Sequence, residues 1–521
     1  MIWKAELGNG RYRNPIIYTD YSDPDVIKGE DGFYMVASSF GNIPGLPILY
    51  SKDLINWDLI NYAIHKLPGK PTDDRRPQYG KGVWAPSIRL NNGVYYIFFP
   101  IPDEGIFVTS SLEPRGKWSE PRLLMEGKGM IDPCPFWDDD GRAYLVNAVA
   151  KSRTGYNNVL YITEMSVDGR RLLGERTQVY DGASDGNTTT EGPRLYKRDG
   201  HYYIFAPAGG VKEGWQVVLK SDSIYGPYEA RTVMRQGNTE VNGPHQGAWV
   251  VTPGGEDHFV HFQDVGAGGR IVHLQPMRWR EDGFPVIGIP TIDDPTVGEP
   301  VGEWEKPKGV NAFRYIGKGS NFSSILPWQY NGEPSSKDAV LRENPFSITI
   351  PAVSVREETA LALVPDILLR KWESPEFIYE GKIDISELRE GDMCGIISMG
   401  LNYASLAIKH DTDNLIKILK ITGEIIFDGS EYSVNETREE IGSFTDVPEV
   451  SFNFLVQKSN TVILSFFTKG AKTISLRTEG NPGRWVGAKY GFYNIRPEAG
   501  DAGADRKESR GFITVKDTVL Y

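Results

Sequence analysis

Three acidic residues in the first two hundred positions share one local setting. Asp23, Asp132 and Glu191 each precede a proline by one or two positions. Each also stands nine residues before the glycine of an Asp-Gly pair, and that pair opens a short run of aromatic and β-branched residues. Asp-Gly is typical of a hairpin turn, and a following proline predicts extended backbone. The shared offset predicts that the three carboxylates occupy equivalent positions in a repeated β unit.

If the repeated units are arranged around a common centre, the three carboxylates come together there. Three carboxylates at one site suit the hydrolysis of a glycosidic bond. That reaction usually takes two carboxyl groups, one to protonate the leaving oxygen and one to deprotonate a water. A third carboxylate nearby raises the pKa of the acid by like-charge coupling. Taken singly, each motif is also explained by ordinary turn chemistry, so the shared offset carries the argument.

The repeated unit extends through the first three hundred residues. Five copies of a turn followed by a short strand-like run occur, and the steps between their turn glycines are 61, 48, 59 and 55 residues. The copies are DGFYMVAS (31–38), NGVYYIFF (92–99), DGRAYLVN (140–147), DGHYYIFA (199–206) and GGEDHFVHF (254–262). Repeats of this length without helical periodicity predict an all-β fold, a five-bladed β-propeller. The alternative is a large β-sandwich with coincidental hairpin turns.

The chain has 521 residues, too many for a single core. We predict a propeller domain over 1–300, a linker rich in Gly, Pro and charge over 301–326, and a second domain over 327–521. The second domain contains strand-like runs of alternating character, which predict a β-sandwich.

Composition narrows the class of partner. The net charge is −12, which argues against nucleic acid, because that partner needs a basic footprint. No apolar run is long enough to span a membrane, and the first residues lack the pattern of a signal peptide. We therefore expect a cytoplasmic protein that acts on a neutral oligosaccharide, with no nucleic-acid or membrane partner. The oligomeric state is left open.

The motifs resemble those of glycoside hydrolase family 43 over roughly residues 14–290. The resemblance lies in their order: NP-x6-SDPD (14–25), SKDLINW (51–57), WAPSI (84–88), IDP (131–133), EGPRLY (191–196) and a late arginine, Arg270. The trailing domain resembles the sandwich of the β-xylosidase-like members. By this resemblance Asp23 matches the general base, Asp132 the residue that modulates the acid, and Glu191 the general acid. Inversion in that family implies about 6.5–9.5 Å between base and acid.

The resemblance also suggests further site residues. Arg270 is similar to the arginine that reaches the sugar and the acid, although a structural contact between blades is an equal alternative. Trp84 and Phe40 resemble aromatic walls of the pocket, with core packing as the alternative. His245 resembles a channel histidine that helps to hold a calcium ion through water, and no organic cofactor is implied. A sandwich residue that closes the pocket is implied too, but the sequence does not identify it.

The resulting hypothesis is an exo-acting inverting hydrolase. It would release terminal α-L-arabinofuranosyl or β-D-xylosyl residues, or both, from oligosaccharides derived from arabinoxylan. The segment at 39–48 and Val211 depart from the xylosidase pattern, so the sugar preference stays open. The alternatives are an endo-arabinanase of the same family and a non-catalytic carbohydrate-binding protein. Fructan-processing propellers are disfavoured, because Ser22 precedes Asp23 and Gly192 follows Glu191.

Overall fold

A computed structural model describes residues 3–69, 76–310, 326–335, 339–343, 345–411, 415–445, 447–468, 473–498 and 511–521. The predicted fold class is confirmed: five sheets, each built on four antiparallel strands, form a propeller, and two larger sheets form a β-sandwich. Most of the predicted linker lies outside the described residues. Residues 301–310 of the predicted linker are described. There Glu303–Glu305 pairs as a strand with Arg11–Arg13 beside the propeller.

The five blades follow the chain in order, each with four strands. Blade 1 contains Asp25–Lys28, Phe33–Val36, Gly45–Ser51 and Asp58–Ile64; blade 2 contains Ser87–Asn91, Val94–Ile101, Gly105–Ser111 and Arg122–Glu126; blade 3 contains Met130–Trp137, Ala143–Val149, Val159–Met165 and Thr177–Asp181; blade 4 contains Arg194–Arg198, His201–Ala208, Trp215–Ser221 and Glu229–Met234; blade 5 contains His245–Val251, Asp257–Asp264, Arg270–Trp279 and Pro285–Ile287. Blade 4 is extended by Gly298–Glu299 and Ile289–Pro290. Short helical turns lie at Lys151–Thr154, Gly182–Asp185, Gly210–Glu213 and Gly266–Gly268.

The predicted turns join the first two strands of their blades. Asn92 and Gly93 both have positive φ, 49° and 75°, and so do Asp199 and Gly200, 50° and 81°. Two consecutive left-handed residues are what the tight hairpin turn of a twisted β-ribbon requires. The turn chemistry in the sequence therefore fixes the register of the two strands that the turn joins.

Hydrophobic side chains fill the spaces between neighbouring blades. Separate buried clusters join blades 1 and 2, 2 and 3, 3 and 4, 4 and 5, and 5 and 1. The ring closes where the segment before blade 1 bonds to the third strand of blade 5, as in the Ile16 and Ile17 amides donating to the Val272 carbonyl. At the centre, buried Asp25 pairs with Arg89 at 2.6 Å and with Arg194 at 3.2 Å. This pairing ties blades 1, 2 and 4 together.

The sandwich packs its two sheets around a separate core. In sheet order, one contains Gln329–Tyr330, Leu368–Lys371, Lys489–Glu498, Met393–Met399, Asn402–His410, Leu415–Asp428 and Glu431–Thr445, with Val353–Arg356 alongside Lys489–Glu498; the other contains Val340–Glu343, Phe346–Pro351, Phe512–Leu520, Phe377–Asp384, Glu449–Val456, Thr461–Phe467 and Ile474–Glu479. A helical turn at Leu361–Leu363 covers the outer face of the first sheet. Among the described residues, no helix is long and apolar enough to cross a membrane.

Candidate active site

The three carboxylates lie at the start of the first strand of blades 1, 3 and 4. Asp23 precedes Asp25–Lys28, Glu191 precedes Arg194–Arg198, and Asp132 lies within Met130–Trp137 at a β-bulge. The expectation of extended backbone before proline is wrong for two of them, since φ is 57° at Asp23 and 53° at Asp132. The hydrogen bonds of these buried side chains outweigh the local preference, and such left-handed residues concentrate at functional sites.

Asp23 is held by two donors from different parts of the propeller. The Ser38 hydroxyl donates to its Oδ2 at 2.5 Å, and Nη1 of Arg270 donates to its Oδ1 at 3.1 Å. Only 8% of the Asp23 side chain is exposed. Both carboxylate oxygens are therefore oriented before any ligand arrives.

Asp132 and Glu191 form a second, neighbouring unit. The Gly192 amide donates to Oδ2 of Asp132 at 2.8 Å, and Nε2 of His245 lies 3.0 Å from Oε1 of Glu191. Burial raises the pKa of Asp132, and the charges of Glu191 and, more weakly, Asp23 raise it further. The Glu191 side chain is 31% exposed. The structure thus brings the three carboxylates close enough to interact and leaves Glu191 the most open of them.

Arg270 begins the third strand of blade 5 and reaches back to blade 1. Its guanidinium pairs with Asp23, lies 3.8 Å from Oδ2 of Asp264, and stacks over the Phe262 ring at 4.8 Å. Among the described residues its ion pairs do not include Glu191. Arg270 therefore contacts the carboxylate that matches the base, whereas the resemblance implies an arginine that reaches the acid.

The aromatic residues meet a third ring that comes from the sandwich. Trp485 lies 4.8 Å from Trp84, edge to face, and 6.3 Å from Phe40, measured between ring centroids. It lies in the segment between Ile474–Glu479 and Lys489–Glu498, and its φ is 63°. Trp485 thus fits the pocket-closing sandwich residue that the sequence left unidentified.

A short joint between the domains fixes the position of Trp485. The Ala488 amide donates to the Ala267 carbonyl at 2.8 Å, and the Gly487 amide donates to Oδ2 of Asp20 at 3.0 Å. The other oxygen of Asp20 accepts the Arg270 amide at 2.9 Å. One buried carboxylate therefore links the segment that carries Trp485 to the residue that binds Asp23.

His245 has too few ligand side chains around it, among the described residues, to hold a metal ion by protein ligands alone. Its Nε2 faces Glu191, and its buried Nδ1 has no hydrogen-bond partner among the described residues. No group of three His, Cys, Asp or Glu side chains in the described part of the chain could hold a metal ion. Calcium takes six to eight ligands, mostly oxygen, so an ion near this imidazole would take its ligands largely from water. The calcium ion stays a prediction.

The nine-residue offset also identifies a residue that the sequence analysis missed. Counting back nine positions from the turn glycine of blade 2 gives Trp84, and from that of blade 5 gives Gln246. Gln246 is buried, and its side chain packs against Gly192, the neighbour of Glu191. All five blades therefore contribute one residue at the same register.

Comparison with protein families agrees with this geometry. Residues 12–285 match the model of "Glycosyl hydrolases family 43", and residues 323–507 match that of "Beta xylosidase C-terminal Concanavalin A-like domain". The first match covers the blades that carry the three carboxylates. The second covers the segment that carries Trp485.

Individual relatives extend the likeness to most of the chain. A Xylanibacter ruminicola protein named "Putative beta-xylosidase" is 41% identical over 70% of this chain and 67% of its own length. A non-reducing end alpha-L-arabinofuranosidase of Bacteroides ovatus is 24% identical over 88% of each chain. The structure of a bifunctional GH43-CE protein of Bacteroides eggerthii aligns with a TM-score of 0.77 at 25% identity, covering 98% of this chain and 63% of that one. The chain belongs to the glycosyl hydrolases of family 43.

Proposed function

We propose that this chain is an exo-acting inverting glycoside hydrolase that releases terminal α-L-arabinofuranosyl or β-D-xylosyl residues, or both, from oligosaccharides derived from arabinoxylan. The observation that carries the proposal is the pair of differently held carboxylates: Asp23 fixed by Arg270 and Ser38, and Glu191 more open beside Asp132 and His245. The names of the relatives, β-xylosidase and α-L-arabinofuranosidase, indicate the two candidate sugars.

Each carboxylate has one role in the proposed single displacement. Asp23 accepts a proton from a water as the water oxygen bonds to the anomeric carbon. Glu191 gives its proton to the glycosidic oxygen as the bond from that oxygen to the anomeric carbon breaks. Attack and departure occur on opposite faces, so the released sugar has inverted configuration. Asp132, whose pKa is raised by burial and by the charge of Glu191, lies beside the acid as the third, modulating carboxyl group.

The aromatic wall favours exo action. Trp485 comes from the sandwich and contacts both Phe40 and Trp84. A ring that closes one side of the pocket suits the end of a chain better than its middle. We therefore rank the endo-arabinanase alternative below the exo-acting enzyme. The non-catalytic alternative leaves the proximity of three interacting carboxylates without a purpose.

The proposal is tested by rates on 4-nitrophenyl α-L-arabinofuranoside and 4-nitrophenyl β-D-xylopyranoside. We expect wild type to cleave one or both, and Asp23→Ala and Glu191→Ala to lose about 10²-fold or more, as loss of general acid or base catalysis implies. Glu213→Ala, an exposed acid in the Gly210–Glu213 turn, is the control and should keep its rate. NMR of the first product should show the inverted anomer. Full activity in Asp23→Ala or Glu191→Ala contradicts the assignment.

A further inference from the structure

Gln246 occupies in blade 5 the position that the carboxylates occupy in blades 1, 3 and 4. It stands nine residues before the turn glycine Gly255 and is the second residue of the strand His245–Val251. The pairing of that strand with its neighbour shifts register between His245 and Gly247. A β-bulge of this kind redirects a side chain and is common next to active sites.

The backbone at Gln246 is strained in the same sense as at two of the carboxylates. Its φ is 32°, compared with 57° at Asp23 and 53° at Asp132. A left-handed glutamine persists only where its surroundings hold it, and such residues cluster at ligand-binding positions. The shared strain indicates that blade 5 presents Gln246 as blades 1 and 3 present their acids.

The side chain of Gln246 lies beside the candidate acid. A Cβ placed on Gly192 would lie 2.8 Å from both Cγ and Cδ of Gln246 and 3.1 Å from its Oε1. Gly192 directly follows Glu191, and its amide binds Asp132. His245, the neighbour of Gln246, contacts Glu191 itself. The amide group of Gln246 therefore borders the Asp132–Glu191 pair.

The amide nitrogen of Gln246 has no hydrogen-bond acceptor among the described residues, although the residue is only 2% exposed. The other buried glutamines in the described part of the chain differ, because each has a partner for its Nε2. Those partners are the Val217 carbonyl for Gln216, the Glu240 carbonyl for Gln263, Nε2 of His261 for Gln275 and the Pro44 carbonyl for Gln329. An unpaired buried amide is unfavourable and calls for an explanation.

We propose that Gln246 is a substrate-binding residue whose Nε2–H donates to a hydroxyl oxygen of the terminal sugar next to Glu191. A neutral sugar is rich in hydroxyl acceptors, and the glycosidic oxygen beside them is the atom that Glu191 is proposed to protonate. This inference rests on the proposed function. Gln246 then holds the sugar ring in place while the bond beside it breaks.

The test compares Gln246→Met with Gln216→Met. Methionine keeps the length of the side chain and removes the donor. We expect Gln246→Met to lose about 10- to 100-fold in kcat/KM, in line with the loss of a hydrogen bond to a substrate hydroxyl. Its Tm should stay level or rise, because the substitution removes no hydrogen bond to any residue that the structure describes. Gln216→Met should show the reverse, a lower Tm with kcat/KM within about twofold of wild type, because its amide is paired inside blade 4.

Deoxy substrates identify the acceptor. We would measure kcat/KM on a series of 4-nitrophenyl glycosides that each lack one hydroxyl. For wild type, one member of the series should lower kcat/KM, relative to the parent substrate, more than the others do. Gln246→Met already lacks the donor to that hydroxyl, so the same member should lower its kcat/KM only slightly. Full kcat/KM in Gln246→Met, or a fall in Tm as large as that of Gln216→Met, overturns the inference. If Glu191→Ala also stays active, the proposed function fails as well. If Glu191→Ala is inactive while Gln246→Met is not, only the role of Gln246 fails.

Discussion

At the scale of single residues, one register yields three different carboxyl groups. Asp23 meets a guanidinium and a hydroxyl, Glu191 meets an imidazole and solvent, and Asp132 meets a backbone amide and the charge of Glu191. Because environment sets the protonation of a carboxyl group, equivalent positions can take different roles. The fold supplies the positions, and the neighbours supply the chemistry.

The protonation of Asp132 makes a prediction about stability. Its pKa is raised in the folded protein, from 3.8 to about 8, first by burial and then by Glu191. Between these values the folded state holds a proton that the unfolded state releases, so this residue lowers stability as pH rises. Asp132→Asn removes the effect. The difference in free energy of unfolding, Asp132→Asn minus wild type, is measured by urea titration at each pH. This difference should be larger at pH ~7 than at pH ~5 by roughly 1–3 kcal/mol. Parallel pH curves for the two proteins would contradict it.

At the scale of elements, the site depends on a close backbone approach between two glycines, Gly487 of the sandwich and Gly269 of blade 5. A Cβ on Gly487 would lie 2.9 Å from the nitrogen and Cα of Gly269, so the sandwich segment approaches blade 5 as closely as glycine permits. That contact lets the Gly487 amide reach Asp20 and places Trp485 over the aromatic wall. The joint between these segments therefore sets where Trp485 lies relative to Trp84.

A single methyl group at the joint should test whether the position of the Trp485 segment affects the rate. Gly487→Ala is expected to displace the Trp485 segment, lower kcat/KM about tenfold and lower Tm by a few degrees, as overpacking does. Steady-state kinetics and thermal unfolding measure both. Gly302→Ala is the matched control, since a Cβ there meets no atom within 4 Å. Equal kinetics for the two variants would show that the joint does not position Trp485.

At the scale of the whole molecule, polar contacts hold the sandwich to the propeller. Nζ of Lys371 donates to the Asp20 carbonyl at 2.5 Å, and Nζ of Lys489 donates to Oδ1 of Asn42 at 2.7 Å. Farther along, the hairpin of Leu415–Asp428 and Glu431–Thr445 reaches the loop before blade 2, where the Tyr432 hydroxyl donates to the Pro77 carbonyl. Buried and partly buried hydrogen bonds therefore join the two domains, in addition to the ring contacts of Trp485 with Phe40 and Trp84.

A buried lysine at this interface predicts an alkaline effect. Burial, with the nearby charge of Lys371, lowers the pKa of Lys489 from 10.5 to about 8. Between these values the unfolded chain holds a proton that the folded protein has released, so stability rises with pH across that window. Lys489→Met should remove most of this rise, at most about 3 kcal/mol. Urea unfolding at pH ~7.5 and pH ~10 measures it, and an equal rise in both proteins would contradict the prediction.

The repeat, the five-bladed fold and the spacing of the three carboxylates could be predicted from the amino-acid sequence, because turn residues and alternating strands act over a few positions. The same spacing also contained Trp84 and Gln246, but the sequence analysis did not use it for them, and only the packing against Gly192 made Gln246 a candidate. Only the folded structure places Trp485 of the sandwich beside Trp84, pairs Arg270 with Asp23, and buries Asp132 near Glu191. Asp20 and Gly487 bond across 467 positions of chain. A contact of that span depends on how two folded domains pack, and no local pattern encodes it.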